Sequence, residues 1–261
     1  MHPRLLTTPF FTIRTFGVLL ATAYMVALWW LVRGARRSKL DTDVVMSLGV
    51  WAIVGALVGA KVLLLIRTLG EFRWTMSDAL SFGASAGDFY GGFIGGLVAS
   101  VLFFRRHPGL RFWLVADLCA PAIALGQAIG RIGCLMAGDD YGRPTTVPWA
   151  VTFSDPDAAG IGGAPLGVPL HPVQLYESLV CLVLFAVLVW FERRKRVEGD
   201  VIIAYTVLYA AARFVLEFYR GDDDRGFVFG GILSTSQFIA IVLFALAIVV
   251  RARRHRPDEV H

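Results

Sequence analysis

Seven apolar stretches separated by short polar connections dominate the pattern of the chain. They cover approximately residues 15–32, 43–66, 87–104, 112–131, 172–191, 200–218 and 231–250. A helix needs about 20 mostly apolar residues to cross the hydrocarbon core of a bilayer. The pattern therefore predicts an all-α polytopic membrane protein, built as a bundle of seven transmembrane helices.

Positively charged residues lie mainly in alternate connections between these stretches. Four connections hold 15 of the 25 Lys and Arg, namely Arg33, Arg36, Arg37, Lys39, Arg105, Arg106, Arg111, Arg193, Arg194, Lys195, Arg196, Arg251, Arg253, Arg254 and Arg256. Cytoplasmic loops carry an excess of Lys and Arg, so these connections are expected in the cytoplasm. Seven spans then place the N-terminus outside and the C-terminus inside. Residues 67–86 and 132–171 become outer loops, and the second is expected to form a small head or lid.

The composition also indicates a membrane protein. Hydrophobic residues make up 56% of the 261 residues and charged residues only 17%, with a mean hydropathy of +0.64. Soluble domains are usually about one quarter charged. The net charge of +5 does not indicate a nucleic-acid partner, because the basic residues flank apolar stretches.

We expect a single integral-membrane domain over residues 1–261. The start of the chain, Met1–Phe11, lacks the basic segment, apolar core and small-residue cleavage site of a signal peptide, so no cleavable leader is expected. A disulfide framework is also not expected, because no pair of cysteines has a metal-binding or redox spacing. The three cysteines are Cys119, Cys134 and Cys181.

Several ionisable residues within the apolar stretches fall in their outer halves. Arg131 ends the fourth stretch, and Arg213 lies 13 residues after Asp200 in the sixth, roughly 20 Å along a helix. Glu217 and Arg220 follow Arg213 at i+4 and i+7, which predicts all three on one helical stripe. Charged groups inside a membrane are costly and usually face a partner or a wet cavity.

The fifth stretch begins with HPVQLYES, which concentrates polar side chains at a helix N-terminus. It contributes His171, Gln174, Tyr176 and Glu177, and Pro172 suits the start of a helix. The helix dipole favours an anion at such a terminus.

Two further polar residues are expected at the same level of the membrane. Tyr90 begins the third stretch on its outer side, and Lys61 lies in the second stretch. Glycines four residues apart beside Tyr90 permit close helix packing; they are Gly91, Gly95, Gly92 and Gly96. Because guanidinium groups bind phosphate bidentately, the arginines at this depth predict a site for a lipid phosphate. A second substrate would approach from the outer loops.

Structural interpretations also exist for each residue taken singly. Arg213 and Glu217 fit an ion pair that only fixes helix packing. Arg131 fits a side chain that snorkels to the interface, Tyr90 fits an interface anchor, and His171 fits an ordinary helix start. The phosphate-site hypothesis depends on several clusters at one depth. The same observation disfavours a transporter, which needs a charged path across the membrane.

Four motifs together resemble one bacterial family. They are GRIGCLMAGDDYGRPTTVPWAVTF, HPVQLYES, RFVLEFYRGDDDRG and LSTSQ, in this order between about Thr12 and Ile248. In this region the chain resembles the prolipoprotein diacylglyceryl transferases. The resemblance implies a multi-pass enzyme of the bacterial inner membrane, with a periplasmic N-terminus and a cytoplasmic C-terminus. The implied reaction, the first step of lipoprotein maturation, moves a diacylglyceryl group from phosphatidylglycerol to the lipobox cysteine of a prolipoprotein, forming a thioether and releasing glycerol phosphate.

The resemblance also implies roles for individual residues. Arg131 and Arg213 match the essential arginines of the family and would neutralise the departing phosphate, while Glu217 matches the acid that holds Arg213. The base that accepts the thiol proton is expected to be Tyr90 or His171. Histidine as a residue type titrates nearer neutral pH, whereas Tyr90 occupies the position of the family base.

Asp139 and Tyr141 are expected to bind the lipid head group or to orient Arg131. The full set of expected substrate-binding residues is Arg131, Arg213, Arg220, Asp139, Tyr141, Gln174, Tyr176 and Lys61. No cofactor or metal is expected, because the chain has neither a phosphate loop nor a Cys/His cluster with ligand spacing. The expected partners are phosphatidylglycerol, the prolipoprotein signal peptide and membrane lipids.

Five positions depart from the family pattern. Cys134 and Ala137 stand where the signature usually has Asn, and Asp139 stands where it has Glu. Tyr90 replaces a histidine proposed as the catalytic base, and Phe16 replaces a tyrosine. The alternative hypothesis is therefore a non-catalytic homologue that binds phospholipid or precursor, or a transferase with altered specificity.

Overall fold

Helices form most of the chain in the computed structural model, which describes residues 3–8, 12–69, 75, 87–222 and 226–254. The α-helices within these ranges are α1 (Thr15–Arg37), α2 (Thr42–Thr68), α3 (Phe89–Arg106), α4 (Phe112–Ala137), α5 (Pro156–Gly162), α6 (Val173–Glu192), α7 (Asp200–Leu216) and α8 (Thr235–Arg254). Short 3-10 helices follow at Glu217–Tyr219 and Phe229–Gly231.

Short antiparallel strand pairs occur before α1 and in two of the connections between helices. Strand β1 (Arg4–Thr7) pairs with β2 (Thr12–Arg14), and β3 (Val151–Thr152) pairs with β4 (Pro169–Leu170). Strand β5 (Phe227–Val228) pairs with β6 (Leu233–Ser234). The last pair explains why α8 begins at Thr235, four residues later than the apolar pattern predicts.

Six of the described helices are long and apolar enough to cross a membrane, judged by length and composition. They are Thr15–Arg37, Thr42–Thr68, Phe112–Ala137, Val173–Glu192, Asp200–Tyr219 (α7 with its 3-10 extension) and Thr235–Arg254. Helix α3 coincides with the remaining predicted stretch, but its 18 residues include two terminal arginines and it is not among these six. The chain is therefore a polytopic helical membrane protein.

The chain divides into two compact units, residues 31–115 and residues 1–30 with 116–261. In the first unit, α2 and α3 pack closely through glycines. A Cβ atom on Gly59 would overlap the carbonyl oxygen of Gly91, and one on Gly55 would lie 2.7 Å from the carbonyl oxygen of Gly95. The glycine spacing that predicted close packing is thus explained by direct backbone contact. Asp88 caps the start of α3 by accepting the N–H of Tyr90 at 2.8 Å.

In the second unit, α4, α6 and α7 share an apolar core, which includes Ala120, Ala124, Leu184, Leu188, Val201 and Tyr205. The start of α7 has no side-chain cap of its own. Instead the fully buried carboxylate of Asp117, in α4, accepts the N–H groups of Gly199, Val201 and Ile202 at 2.8–3.0 Å. It also pairs with Lys195 Nζ at 2.8 Å. Asp117 therefore fixes α7 against α4 by satisfying backbone donors that a helix start leaves open.

The long connection after α4 is structured. Helix α4 continues six residues beyond Arg131, so the connection begins at Gly138 and not at residue 132 as predicted. The connection contains α5, β3 and β4, and it packs around its own apolar cluster of Leu135, Phe153, Ala158, Ala164 and Leu170.

Candidate functional site

Arg131 lies between two carboxylates that come from distant parts of the chain. Its Nη1 pairs with the carboxylate of Asp140, and its Nε lies 3.0 Å from Glu177 Oε2 in α6. Asp140 reaches back towards α4 because the turn after the helix uses left-handed backbone at Gly138, with φ 77°, and at Asp140 itself, with φ 54°. Glycine and aspartate are among the residues that tolerate this conformation. Arg131 is thereby held at two points.

Arg220 completes an ionic bridge across Asp140. Its Nη2 pairs with the second carboxylate oxygen of Asp140 and with Asp222. The backbone of this segment runs beside the turn after α4, since Gly142 and Arg220 form an antiparallel bridge. Gly221 permits this approach, because a Cβ there would lie 2.6 Å from the carbonyl oxygen of Gly142. Asp140 therefore links the guanidinium groups of Arg131 and Arg220.

Arg213 and Glu217 form the ion pair that their spacing predicted. Arg213 Nη1 lies 2.7 Å from Glu217 Oε2, and Arg213 Nη2 donates to Ser236 Oγ at 3.2 Å. The expected stripe does not extend to Arg220, however. The α-helix ends at Leu216 and Arg220 has extended backbone, with φ −71° and ψ 143°, so its side chain joins the Asp140 cluster.

The first turns of α6 supply two buried polar side chains. Glu177 accepts the hydroxyl of Tyr209 at 2.8 Å through the oxygen that does not contact Arg131. Gln174 donates through Nε2 to the carbonyl oxygen of Asp139 at 2.6 Å. Gln174 Oε1 is buried and has no hydrogen-bond partner among the described residues. The start of α6 therefore fixes both Arg131 and the turn that carries Asp140.

His171 lies in a small aromatic cluster. Its Nδ1 is 3.1 Å from the hydroxyl of Tyr176, which itself accepts Trp149 Nε1 at 2.7 Å. The His171 ring also contacts Tyr219, with centroids 5.3 Å apart. If Tyr176 accepts from Trp149 and donates its own proton to His171, Nδ1 is the acceptor and Nε2 carries the imidazole proton. In that tautomer His171 is a hydrogen-bond donor and not a base.

The other expected site residues have different surroundings. The Tyr141 ring packs against the apolar cluster of the connection after α4. Lys61 lines an apolar groove with Leu57, Val58, Val62 and Leu65. Lys61 and Tyr90 both belong to the 31–115 unit, and their convergence with the arginines stays a prediction.

The pKa values of the two adjacent aspartates after α4 are shifted in opposite directions. Burial alone would raise the pKa of Asp140, but the guanidinium groups of Arg131 and Arg220 lower it to about 2. Asp139 retains an exposed edge, yet desolvation by neighbouring atoms and repulsion from Asp140 raise its pKa to about 6. For Arg220, burial lowers the pKa but hydrogen bonding to Asp222 and attraction to Asp140 outweigh it and raise the pKa.

Possible metal ligands do gather at this turn. Potential donor atoms of Cys134, Asp139 and Asp140 lie within 4.8 Å of one another. Both oxygens of Asp140 are already paired with guanidinium groups, of Arg131 and Arg220. Two fixed positive charges disfavour a metal cation here, so the cluster suits an anion beside the arginines better.

The sequence pattern indicates no role for Asp140 or Tyr209, and it indicates Glu177 only as part of a polar helix start. Asp140 is preceded by an equally acidic neighbour, and local pattern does not show which of the two faces Arg131. Tyr209 precedes Arg213 by four residues, which is one helical turn. That spacing is the one signal that could have drawn attention to it.

The fold and the site together define a class: a polytopic helical membrane protein with three arginines held in carboxylate pairs near helix ends. The profile of the prolipoprotein diacylglyceryl transferases matches residues 3–253. The chain therefore belongs to the prolipoprotein diacylglyceryl transferase family.

Curated relatives named phosphatidylglycerol–prolipoprotein diacylglyceryl transferase are similar over most of their lengths. The protein of Clostridium tetani is 31% identical over 238 residues, covering 90% of both chains. That of Leifsonia xyli is 32% identical, covering 94% of this chain and 76% of its own. A relative of Clostridium perfringens, whose name carries the number 2, is 34% identical and covers 88% and 87%.

Proposed function

We propose that this protein transfers the diacylglyceryl group of phosphatidylglycerol to the lipobox cysteine thiol of a prolipoprotein. The reaction forms a thioether, releases glycerol phosphate and is the first step of lipoprotein maturation. The names of the relatives supply the two substrates. The observation that carries the proposal is the family match over residues 3–253 together with the Arg131–Asp140–Arg220 bridge within that range.

The arginines are proposed to act on the phosphate. A guanidinium group has five N–H donors, so Arg131 and Arg213 keep donors for a ligand after forming their ion pairs. Charge develops on the leaving phosphate as the bond from carbon to oxygen breaks. Fixed positive groups at that point can stabilise the transition state by several kcal/mol. Glu217 and Glu177 hold these guanidinium groups in place, which limits reorganisation during the reaction.

The remaining expected residues are proposed to bind the substrates around these arginines. Gln174 and Asp139 are joined by a hydrogen bond, and Tyr176 is joined to His171. These two pairs would contact the head group or the precursor. Tyr141, Arg220, Lys61 and Tyr90 complete the proposed set.

The proposed topology has seven spans in the bacterial inner membrane. Helix α3 is the seventh, since 18 residues extend about 27 Å, close to the thickness of the hydrocarbon core. The basic ends of α1, α3 and α8 would face the cytoplasm, with the N-terminus in the periplasm. The folded connection after α4 would form a small periplasmic head of one integral-membrane domain.

The proposal is tested in a strain depleted of its own transferase. The mass of a lipobox precursor is followed after expression of the wild type, Arg131→Ala, Arg213→Ala and Arg253→Ala. Arg253 is exposed near the end of α8 and serves as a matched control for the loss of one arginine. The wild type and the control should restore the diacylglyceryl adduct, whereas the other two should not. Full activity in both Arg131→Ala and Arg213→Ala would contradict the phosphate assignment.

The altered signature, with Cys134, Ala137 and Asp139, supports a second candidate function. The protein would then be a homologue that binds phospholipid or precursor without catalysing the transfer. Such a protein would give no adduct while still retaining phosphatidylglycerol during purification. Competition with other phospholipid head groups separates an altered specificity from a loss of activity.

A further inference from the structure

The reaction needs a base for the lipobox thiol, and the turn after α4 presents an open carboxylate. Asp139 is exposed, and its Oδ1 accepts the backbone N–H of Asp140 at 2.9 Å. Within the described part of the chain, the ion pairs at this turn go to Asp140 and none goes to Asp139. The two adjacent carboxylates therefore differ in their partners. Both oxygens of Asp140 pair with arginines, whereas one oxygen of Asp139 is open to a ligand.

The open carboxylate lies at the arginine cluster. Donor atoms of Asp139, Asp140 and Cys134 fall within 4.8 Å of one another, and Cys134 follows Arg131 by three residues on α4. The backbone of Asp139 is fixed from a second element, because Gln174 donates to its carbonyl oxygen at 2.6 Å. A thiol that approaches a phosphate bound at Arg131 would thus come close to Asp139.

We propose that Asp139 is the general base that accepts the proton of the lipobox cysteine. The assignment rests on the proposed function and goes beyond binding of the head group. The thiol proton passes to the carboxylate, and the thiolate sulfur forms a bond to the glycerol carbon that bears the phosphate. The bond from this carbon to the phosphate oxygen breaks, and glycerol phosphate leaves with the electron pair. Asp139 then returns its proton to the phosphate product or to water.

The electrostatics of the turn suit this role. The groups that act on the Asp139 carboxyl are Asp140, Arg220 and Arg131, with the Cys134 thiol beside it. Desolvation by neighbouring atoms and repulsion from the Asp140 charge raise its pKa to about 6, although the two arginines act in the opposite direction. A base with a pKa near the working pH accepts a proton more effectively than an ordinary carboxylate. The second pKa of a phosphate monoester is also about 6, so return of the proton to the product is nearly balanced.

The two bases expected from the sequence have weaker arrangements. The His171 ring nitrogen Nδ1 already has a partner, the Tyr176 hydroxyl at 3.1 Å, so one of its two ring nitrogens is occupied. Tyr90 offers a phenol, which is a weak base while it carries its proton. Asp139 is open and lies beside Arg131 at the turn after α4.

The test compares wild type, Asp139→Asn, Asp139→Glu and Asp157→Asn as purified proteins with phosphatidylglycerol and a lipobox peptide. Asp157 lies on the same connection in a surface ion pair with Arg4, so Asp157→Asn should keep its rate within about threefold. At pH 7, kcat/KM for the peptide should fall by about 100-fold or more in Asp139→Asn. The KM for phosphatidylglycerol should change little, and Asp139→Glu should recover at least about one tenth of the rate.

The pH profile distinguishes a base from a structural role. The wild-type rate should rise as pH increases through about 6, where Asp139 loses its proton. Above a thiol pKa of about 8.5 the substrate ionises without help, so the Asp139→Asn defect should shrink at pH 9.5. A defect equal at pH 6.5 and 9.5, or a rate within threefold of wild type at pH 7, would overturn the assignment. A wild type that forms no adduct at any pH would overturn the proposed function, and this assignment with it.

Discussion

Glu177 should control the activity of this protein without contacting the bond that breaks. Its side chain is 2% exposed, with Oε2 3.0 Å from Arg131 Nε and Oε1 accepting the hydroxyl of Tyr209 at 2.8 Å. Glu177→Gln keeps the size of the side chain but removes its charge. The amide must then turn an N–H group either towards the Arg131 donor or towards Tyr209. Arg131 then faces at best a neutral amide oxygen in place of a carboxylate, so we expect it to lose the charge of one of its two anchors while its pairing with Asp140 persists.

The magnitude follows from the kind of hydrogen bond that is lost. A hydrogen bond to a charged group contributes about 1.5–3 kcal/mol. If this energy is expressed in the transition state, where the phosphate gains charge, kcat/KM falls by about 10- to 160-fold. Tyr209→Phe removes the other hydrogen bond to Glu177 but leaves the charge that pairs with Arg131, so its rate should fall less than that of Glu177→Gln.

The assay measures kcat and KM for phosphatidylglycerol with purified variants and a lipobox peptide. Thermal unfolding in the same detergent checks that each variant is folded. A Glu177→Gln rate within threefold of wild type would refute the reasoning that Glu177 positions Arg131. A rate loss matched by an equal loss for Tyr209→Phe would show that the Tyr209 hydroxyl, and not the charge on Glu177, matters.

Three further predictions concern stability. Asp117→Asn should destabilise the protein by about 3–5 kcal/mol, because it removes the charge of a fully buried carboxylate that pairs with the partly buried Lys195, and thermal unfolding measures this loss. Gly59→Val should lower the unfolding temperature, whereas Gly109→Val should not, because a Cβ at Gly59 overlaps the facing backbone and one at Gly109 meets nothing within 4 Å. The depressed pKa of Asp140 adds stability that is present above about pH 3.9 and is lost as pH falls towards 2. The difference in unfolding free energy between wild type and Asp140→Asn should therefore shrink over this range of pH. A difference that does not change with pH would show that the bridge contributes nothing.

The sequence predicts most of the helices because the membrane imposes a simple requirement on length and polarity. It also predicts the Arg213–Glu217 pair, since residues four apart on a helix are neighbours whatever the rest of the chain does. The sequence pattern does not predict where a helix ends. The end of α7 at Leu216 removes Arg220 from the helical stripe, and local spacing carries no sign of that.

The partners of Arg131 depend on long-range packing and on one turn. Glu177 is 46 residues away on α6, so its contact with Arg131 requires the packing of two helices. Asp140, and not Asp139, turns to the arginine because both Gly138 and Asp140 take left-handed backbone. Two neighbouring aspartates look equivalent in sequence, and only this turn separates an ion-paired acid from an open one.

A structure of the protein with phosphatidylglycerol bound would test the role of the two arginines most directly. We expect the lipid phosphate to lie within hydrogen-bond distance of the guanidinium groups of both Arg131 and Arg213, with Glu177 and Glu217 still paired to them. A head group bound elsewhere, with both arginines still paired only to carboxylates, would contradict it.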